Sequence, residues 1–566
     1  MISIGTDAAG GLDDSEAIRR HCLAGYRGAA DRVAIDSDET NSSLLTHGAD
    51  AEGRMIVSSR QVVLGVAVAA VAGVLIATLR YGIGLTPDSV TYVNGARSLS
   101  TGAGYTANGH AISDFPPGYS WVLSLGERAG VDAIDAARGV SVVALVATIV
   151  LGYILLCRHV RSERVRAIAT VSIGCSAVLL EIYEKALSEH LFLPVLLLFV
   201  LVAEEVLTRP RYGPLVGAMV LLGWIAFYLR YAGVVLVVVG ALVVIIAAWR
   251  RGPLAAYIRG AAYAVAAVSV PVVWMIRNVR AGSGPLGPRA NASASIFKNI
   301  SRAANEVSTW LATDIPPSFV RGLIVVLVVA AVVAGVAALA GSGWSPRAER
   351  SLLPLTAFVV LYVVYLVGSA SVVAFAAINT RLMVPVFVPM VVLSAWLFER
   401  IGPVIRSASV RRAVTAVVLA WVGINVVWFG ARAVNSAQNG AGGYAKPRWH
   451  DSQLLRDVRN LDFSVRTYSN DVPAIGLFTG LRAFPSVEKR HFQSDEETGN
   501  LPSFVRLVQC QGKVRLVWFL PNTRPYMYDP AQLRTKLRLT PVVRRRDGVI
   551  YDVTPRQPAK VACARP

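Results

Sequence analysis

Two acidic residues lie in the polar segment that follows the first apolar run of the sequence. Asp88 comes directly after Pro87, just past the end of that run, and Asp114 precedes the Phe-Pro-Pro-Gly-Tyr turn at 115–119. Carboxylates beside a bilayer are costly to keep charged unless they are used or paired. Lipid-linked substrates present their head groups at this level, so the segment is placed for chemistry on a lipid carrier.

The apolar runs that must position these residues indicate a polytopic α-helical membrane protein. Of the 566 residues, 54% are hydrophobic and only 16% are charged, which excludes an ordinary soluble enzyme. Runs long enough to span a bilayer recur about eleven times. The predicted spans are 62–80, 138–157, 167–181, 189–206, 213–228, 232–249, 260–276, 319–340, 352–368, 382–398 and 413–430.

The distribution of basic residues predicts the orientation of the chain. Nearly every short loop on one side carries several arginines, so that side is expected to be cytoplasmic. Residues 1–60 are polar and mildly acidic and are predicted to be a disordered cytoplasmic tail. The membrane domain is predicted at 61–434, and the odd number of spans places the remaining residues, 435–566, outside the membrane.

Residues 435–566 change in character and predict a small extracytoplasmic α/β domain. Strands are predicted at 472–477, 505–508, 514–519 and 548–553, and helices at 452–461 and 530–537. The net charge of +20 is partly carried by this region. An outer basic domain suggests contact with anionic lipid or polymer rather than nucleic acid, although a merely solvated basic surface is equally compatible. Cys510 and Cys563 share this compartment and could pair.

Several motifs resemble one membrane enzyme superfamily in their order and spacing. They are Asp88-Ser89 with Tyr92 and Ala96-Arg97, Phe115-Pro116-Pro117-Gly118-Tyr119, Leu187-Ser188-Glu189-His190, Leu229-Arg230-Tyr231, Trp274 with Arg277-Asn278, Thr380-Arg381-Leu382, and Tyr468-Ser469-Asn470-Asp471. Together they resemble the GT-C superfamily, integral-membrane glycosyltransferases that use polyprenyl-phosphate sugars, including protein mannosyltransferases and the aminoarabinose transferase of lipid A. The resemblance covers about residues 60–560.

The resemblance implies which residues carry the chemistry. Asp88 matches the catalytic Asp of the superfamily by motif position and is the predicted general base; the alternative is that it only caps the helix containing Tyr92, since Asp is a favoured N-cap. Asp114 is a second candidate catalytic residue, or else a turn residue. Some relatives have a Lys after this acidic residue, but Phe115 occupies that position here. The role of binding phosphate must therefore fall to other cations.

Three arginines at predicted outer ends of spans are the candidate phosphate ligands: Arg230, Arg277 and Arg381. Arg binds phosphate bidentately and stays charged when partly desolvated. The alternative for any one of them is an ordinary topology or snorkelling arginine.

Further substrate-binding candidates are two acidic and two aromatic residues. Glu184 and Glu189 could orient acceptor or sugar hydroxyls, although Glu184 could instead belong to a surface grouping with Lys185. Tyr92 and Tyr119 could stack on sugar rings, and aromatic residues are in any case common at membrane interfaces. No cluster resembles a site with several convergent carboxylates, so no metal or other cofactor is expected, with a divalent cation left open.

The resulting hypothesis is an inverting hexosyl- or pentosyltransferase in a bacterial plasma membrane. It would move a sugar from a polyprenyl-phosphate donor to an envelope glycolipid, polysaccharide or protein on the outer face. The composition, rich in Ala, Val and Arg, suits an actinobacterial envelope enzyme making arabinan, mannan or a glycolipid. The rivals are a transporter or flippase of lipid-linked sugars, which would favour internal repeats, and a non-catalytic envelope scaffold. The sugar, the acceptor and the oligomeric state are left open.

Overall fold

A computed structural model describes residues 59–557 except 108–109, 293, 312–349, 375, 404, 463, 492–496, 521 and 523. The predicted N-terminal tail and the predicted span 319–340 lie outside these residues. Cys510 is disulfide-bonded, and Cys563 lies outside the described part of the chain.

The membrane part of the chain consists of helices with four very short strands. In chain order the elements are α1 Ser59–Ala77, α2 Pro87–Ser100, β1 Thr106–Ala107, β2 His110–Ala111, α3 Gly118–Arg128, α4 Ala133–His159, α5 Glu163–Gly174, α6 Ala177–Tyr183, α7 Glu189–Thr208, α8 Gly213–Leu229, α9 Val234–Ala248, α10 Pro253–Arg280, β3 Ala290–Asn291, α11 Ile296–Leu311, α12 Leu353–Val372, β4 Val373–Ala374, α13 Thr380–Met383, α14 Phe387–Ile401 and α15 Ala408–Asn439. Single 3₁₀ turns lie at Tyr231–Gly233, Trp249–Arg251, Arg350–Leu352 and Val384–Val386.

Among the described residues, eight helical segments are long and apolar enough to cross a membrane. They are Arg60–Ala77, Ala133–His159, Glu189–Thr208, Tyr231–Arg251, Pro253–Arg280, Arg350–Val372, Thr380–Ile401 and Ala408–Asn439. In addition, α5 and α6 form an apolar pair bent by 40°, and α8 is apolar but shorter. Every span predicted within the described residues coincides with one of these helices. The protein is therefore a multi-pass membrane protein.

The bend between α5 and α6 has a local cause in the sequence. Helix α5 ends at Gly174, and the Ser176 hydroxyl accepts a hydrogen bond from the backbone N–H of Val178 at 3.1 Å. Such a cap satisfies one of the N–H groups that a new helix leaves without an intrahelical partner. A second helix therefore starts instead of the first continuing.

The C-terminal region forms an α/β unit around one mixed sheet. Its elements are α16 Pro447–His450, α17 Gln453–Arg459, β5 Thr467–Ser469, α18 Val472–Thr479, β6 Phe484–Pro485, α19 Leu501–Gln511, β7 Val514–Phe519, α20 Pro530–Leu533, β8 Leu537–Arg545 and β9 Gly548–Pro555. The strand order is β6-β5-β7-β9-β8, with β5 parallel to β6 and β7, and β9 antiparallel to β7 and β8.

The structure confirms two of the predicted C-terminal strands and corrects two others. Strands β7 and β9 cover 514–519 and 548–553 as predicted, and α17 lies within the predicted helix 452–461. The predicted strands 472–477 and 505–508 are wrong, because these residues belong to helices α18 and α19. The predicted helix at 530–537 ends early, since α20 stops at Leu533 and β8 begins at Leu537. Short apolar runs fit a buried helix as well as a strand.

Candidate functional site

Asp88 lies at the second position of helix α2, and its carboxylate does not serve as the N-cap of this helix. Thr86 is the N-cap of this helix: its hydroxyl accepts from the backbone N–H of Ser89, while the Ser89 hydroxyl accepts from the backbone N–H of Thr86. This reciprocal arrangement is a capping box. The alternative that Asp88 itself caps the helix is therefore wrong.

The residues immediately before this cap are held on both sides by backbone hydrogen bonds. On one side, the N–H of Gly84 donates to the carbonyl of Glu184 at 2.7 Å, and the N–H of Ala186 donates to the carbonyl of Gly84 at 2.8 Å. On the other side, the N–H of Tyr444 donates to the carbonyl of Leu85 at 2.8 Å. The start of α2 is thus fixed between the α6–α7 connection and the segment that follows α15.

The backbone contacts that hold Gly84 and Leu85 on both sides are called the clamp below. Tyr444 links this clamp to the C-terminal unit. Its hydroxyl donates to the buried carboxylate of Asp471 at 2.7 Å, and burial raises the pKa of Tyr444. The preceding residue, Gly443, has φ +59°, and a Cβ atom there would overlap the carbonyl of Leu85. Only glycine fits this close approach without strain. The clamp therefore requires glycine at position 443.

A four-residue ionic network forms the centre of the site. The Arg381 guanidinium binds the Asp88 carboxylate through Nη1 and the Glu189 carboxylate through Nε. Glu189 also binds Nη1 of Arg230. The side chain of Glu189 is fully buried, whereas those of Arg381 and Asp88 are 23% and 34% exposed. Asp88 and Arg381 thus form the open edge of the network, and Glu189 forms its inner end.

Tyr92 connects the aromatic side of the site to the ionic network. Its hydroxyl lies 3.2 Å from the hydroxyl of Ser188, which donates to Glu189 at 3.3 Å. The ring is packed edge-on by those of Phe115 and Tyr119, each with centroids 5.2 Å away. Burial raises the pKa of Tyr92 to about 12, so the phenol stays protonated at neutral pH. Tyr92 and Tyr119 are both buried. That they stack on sugar rings stays a prediction.

Arg277 lies against the loop that precedes Asp114 rather than in the ionic network. Its Nη1 donates to the carbonyl of Ile112 at 2.7 Å and its Nη2 to that of Tyr105 at 3.4 Å. Its guanidinium also covers the Trp274 ring at 4.7 Å from the centroid. These contacts fix the loop between α2 and α3. The predicted contact of Arg277 with phosphate stays a prediction.

Asp114 lies at the end of the same loop. Its backbone carbonyl accepts a hydrogen bond from Arg289 at 3.1 Å, and the neighbouring Ser113 carbonyl accepts one from Tyr231 at 2.7 Å. Partial desolvation, with a smaller contribution from the charge of Asp88, raises the pKa of Asp114. The charge of Arg289 opposes this rise.

Glu184 takes part in a second buried ion pair beside the clamp. Its carboxylate accepts hydrogen bonds from Arg432 at 2.7 Å and from Ser436 at 2.8 Å, both on α15. Burial nevertheless raises the pKa of Glu184. These contacts join α15 to the α6–α7 connection. A contact of Glu184 or Glu189 with substrate hydroxyls stays a prediction, and each already has arginine partners.

The structure adds residues that the sequence did not reveal as part of the site: Ser188, Arg289, Arg432, Gly443 and Tyr444. Ser188 lies within the Leu187-Ser188-Glu189-His190 motif, and adjacent Gly442 and Gly443 mark a turn, whereas the other three residues carried no local signal. In the described part of the chain no three His, Cys, Asp or Glu side chains gather as a metal-ligand group. Whether a divalent cation takes part stays open to test.

Comparison with known proteins identifies the fold. No family model and no curated protein matches the chain. The structure is similar to that of ArnT from Cupriavidus metallidurans in the apo state, with 15% identity and a TM-score of 0.55 over 87% of this chain and 98% of ArnT. It is also similar to the same protein bound to undecaprenyl phosphate, with 13% identity and a TM-score of 0.53 over 88% and 98% of the two chains. The chain therefore shares the fold of ArnT, in agreement with the fold expected from the sequence motifs.

The burial of Glu189 predicts a large effect of its neutralisation. We expect Glu189→Gln to lower the free energy of unfolding by about 3–5 kcal/mol, because Arg230 loses its carboxylate partner in a buried position. Thermal unfolding in detergent checks this. Glu163→Gln is the control, since the Glu163 side chain is 60% exposed and its pair with Arg166 should contribute at most about 1 kcal/mol. Equal effects of the two substitutions would contradict the assignment of Glu189 as the centre of the network.

Proposed function

We propose that this chain is a glycosyltransferase that moves a sugar from a polyprenyl-phosphate donor to an acceptor hydroxyl group. The observation that carries the proposal is the open edge of the ionic network, where a carboxylate and a guanidinium lie in contact and partly exposed. Transfer from a lipid phosphate needs a base for the acceptor proton and a cation for the leaving phosphate. Asp88 and Arg381 supply one of each.

The network suggests how donor binding could activate the base. Arg381 holds Asp88 at its exposed end and Glu189 at its buried end. A donor phosphate that binds Arg381 would compete with the Asp88 carboxylate for the same guanidinium group. Asp88 would then be free to accept a proton, while Glu189 keeps Arg381 and Arg230 in place. Base and leaving-group site are coupled through one side chain.

The proposed reaction is a single displacement at the anomeric carbon. The acceptor oxygen attacks this carbon, its proton passes to the Asp88 carboxylate, and the bond between the anomeric carbon and the phosphate oxygen breaks with its electrons on the phosphate. The leaving phosphate is stabilised by Arg381 and Arg230. Such a displacement inverts the configuration, and the proposed mechanism assigns no step to a metal ion.

The donor class is supported by the fold. ArnT, whose structure has been determined bound to undecaprenyl phosphate, shares the fold over most of both chains. The distribution of basic residues supports placing the site at the outer face of the plasma membrane, with the N-terminus cytoplasmic and the C-terminal α/β unit outside. The acceptor would be an envelope glycolipid, polysaccharide or protein.

Loss of the proposed base should abolish transfer without unfolding the protein. We expect Asp88→Asn to reduce transfer by at least about 100-fold, measured with radiolabelled polyprenyl-phosphate sugars and purified protein. Arg381 keeps Glu189 as its partner in this variant, so the melting temperature should change little.

Asp132→Asn is the matched control for this variant. Asp132 is the N-cap of α4 and, like Asp88, is paired with an arginine, in this case Arg97. Unlike Asp88, it lies on the surface. Asn caps helices as well as Asp does, so transfer should be retained. Full transfer by Asp88→Asn would contradict the proposed mechanism and favour the transporter or scaffold alternatives.

Binding of the donor should depend on the planar shape of the Arg381 guanidinium group as well as on its charge. We expect Arg381→Lys to raise the KM for the donor about tenfold or more, because one charge-assisted hydrogen bond to phosphate is lost. The KM for the acceptor should change much less. Arg97→Lys is the control on the protein surface. Equal changes in the two Michaelis constants would remove Arg381 from the phosphate site.

The clamp before α2 should influence transfer from a distance. Gly443→Ala would push the Leu85 carbonyl away and displace Asp88, so we expect transfer to fall about tenfold or more, since small misplacements of reacting groups are costly. Gly130→Ala is matched, because Gly130 also has positive φ (+82°) but open space around it; the positive φ alone should cost each variant about 1–2 kcal/mol of stability. Equal activities of the two variants would show that the clamp does not position the base.

A further inference from the structure

A cavity lies at the end of helices α8 and α10 opposite the candidate site. It is lined by α8, α9 and α10, opens to the surface, and has a volume of about 600 Å³, within the range of small-molecule sites. Arg230 follows the last residue of α8, whereas the cavity lies at its first turns. The 17 residues of α8 span about 25 Å. The cavity and the ionic network therefore lie near opposite surfaces of the bilayer.

Three arginines line this cavity at its polar end: Arg211, Arg251 and Arg259. Arg251 is held in place by Tyr212, since its Nη1 donates to the phenolic oxygen at 3.1 Å and its guanidinium covers the ring at 5.3 Å from the centroid. Within the part of the chain that the structure describes, none of the three arginines is paired with a carboxylate, and no carboxylate lines the cavity. The site is therefore complementary to an anion.

The interior of the cavity is apolar. Val216, Val220 and Val244 line it, together with Tyr263, which is only 2% exposed. The Tyr263 hydroxyl is buried and has no hydrogen-bond partner among the described residues. The hydroxyl is therefore not exposed in the cavity, and the apolar side chains form the surface that a ligand would meet.

The outer surfaces of the same helices continue the apolar path. Leu221 on α8 and Val265 on α10 are 53% and 67% exposed, as suits residues that face lipid tails. A ligand at this position thus meets cationic groups at one end and hydrocarbon at the other. Basic pockets between membrane helices are a known way to bind anionic lipid head groups.

We propose that this cavity binds one anionic glycerophospholipid. Its phosphate would contact the three arginines, and its chains would follow the apolar surfaces of α8 and α10. A free anion would satisfy the arginines but leave the apolar interior unfilled. The position, at the opposite surface from Asp88 and Arg381, makes this lipid distinct from the proposed donor.

The test measures lipid binding to the delipidated full chain by native mass spectrometry. The protein is titrated with phosphatidylglycerol, with phosphatidylcholine and with glycerol phosphate. We expect one phosphatidylglycerol per chain to bind at least about tenfold more tightly than phosphatidylcholine, with an affinity that falls as salt rises. Equal affinity for the two lipids, or equal affinity for glycerol phosphate, would overturn the proposal; the latter would indicate a site for a soluble anion.

Variants locate the binding within the cavity. We expect the double substitution Arg251→Gln and Arg259→Gln to remove the preference for phosphatidylglycerol, whereas Arg250→Gln should keep it, because Arg250 is exposed like the other two but does not line the cavity. If the double variant fails to fold, Gly217→Leu serves instead: Gly217 lines the cavity and a Cβ there meets no atom within 4 Å. This larger side chain should block the tight site. Retained tight binding in a folded cavity variant would refute the location.

Discussion

The buried carboxylate of Glu189 is the constraint on which the arrangement of the site depends. A fully buried charge is costly unless oppositely charged groups replace water around it. Here Arg230 and Arg381 do so, and they come from the α8–α9 connection and from α13. Three separate segments must therefore meet at one point, and Asp88 joins them from α2 through Arg381. The network is compatible with only a narrow range of helix positions.

The segment that leads into α2 is fixed by backbone hydrogen bonds on both sides. The segment before Asp88 is bonded to the α6–α7 connection on one side and to Tyr444 on the other. Tyr444 in turn contacts Asp471, which is the N-cap of α18 in the C-terminal unit. The C-terminal unit is thus joined to the candidate site by a short chain of hydrogen bonds. This connection gives that unit a structural role at the site in addition to any contact with an acceptor.

Arginines occur at both ends of the bundle, but their surroundings differ. At the candidate site they are neutralised by Asp88 and Glu189, whereas those around the α8–α10 cavity have no carboxylate partner among the described residues. Sequence position near a span end therefore does not define what an arginine does. Arg277 illustrates this: it lies at a span end, but its hydrogen bonds go to the carbonyls of Ile112 and Tyr105 and to the side chain of Asn278.

The sequence predicted the membrane helices, because hydrocarbon requires long apolar helices whatever their neighbours are, and the order of its motifs indicated the fold that the comparison with ArnT shows. It also indicated Asp88, Arg230 and Arg381 as candidates. It failed for 472–477 and 505–508, where the apolar runs are too short to separate strand from helix. Which charges pair depends on the packing of the folded chain. Asp88 and Arg381 are 293 positions apart, and no local pattern records a contact that depends on how distant helices pack.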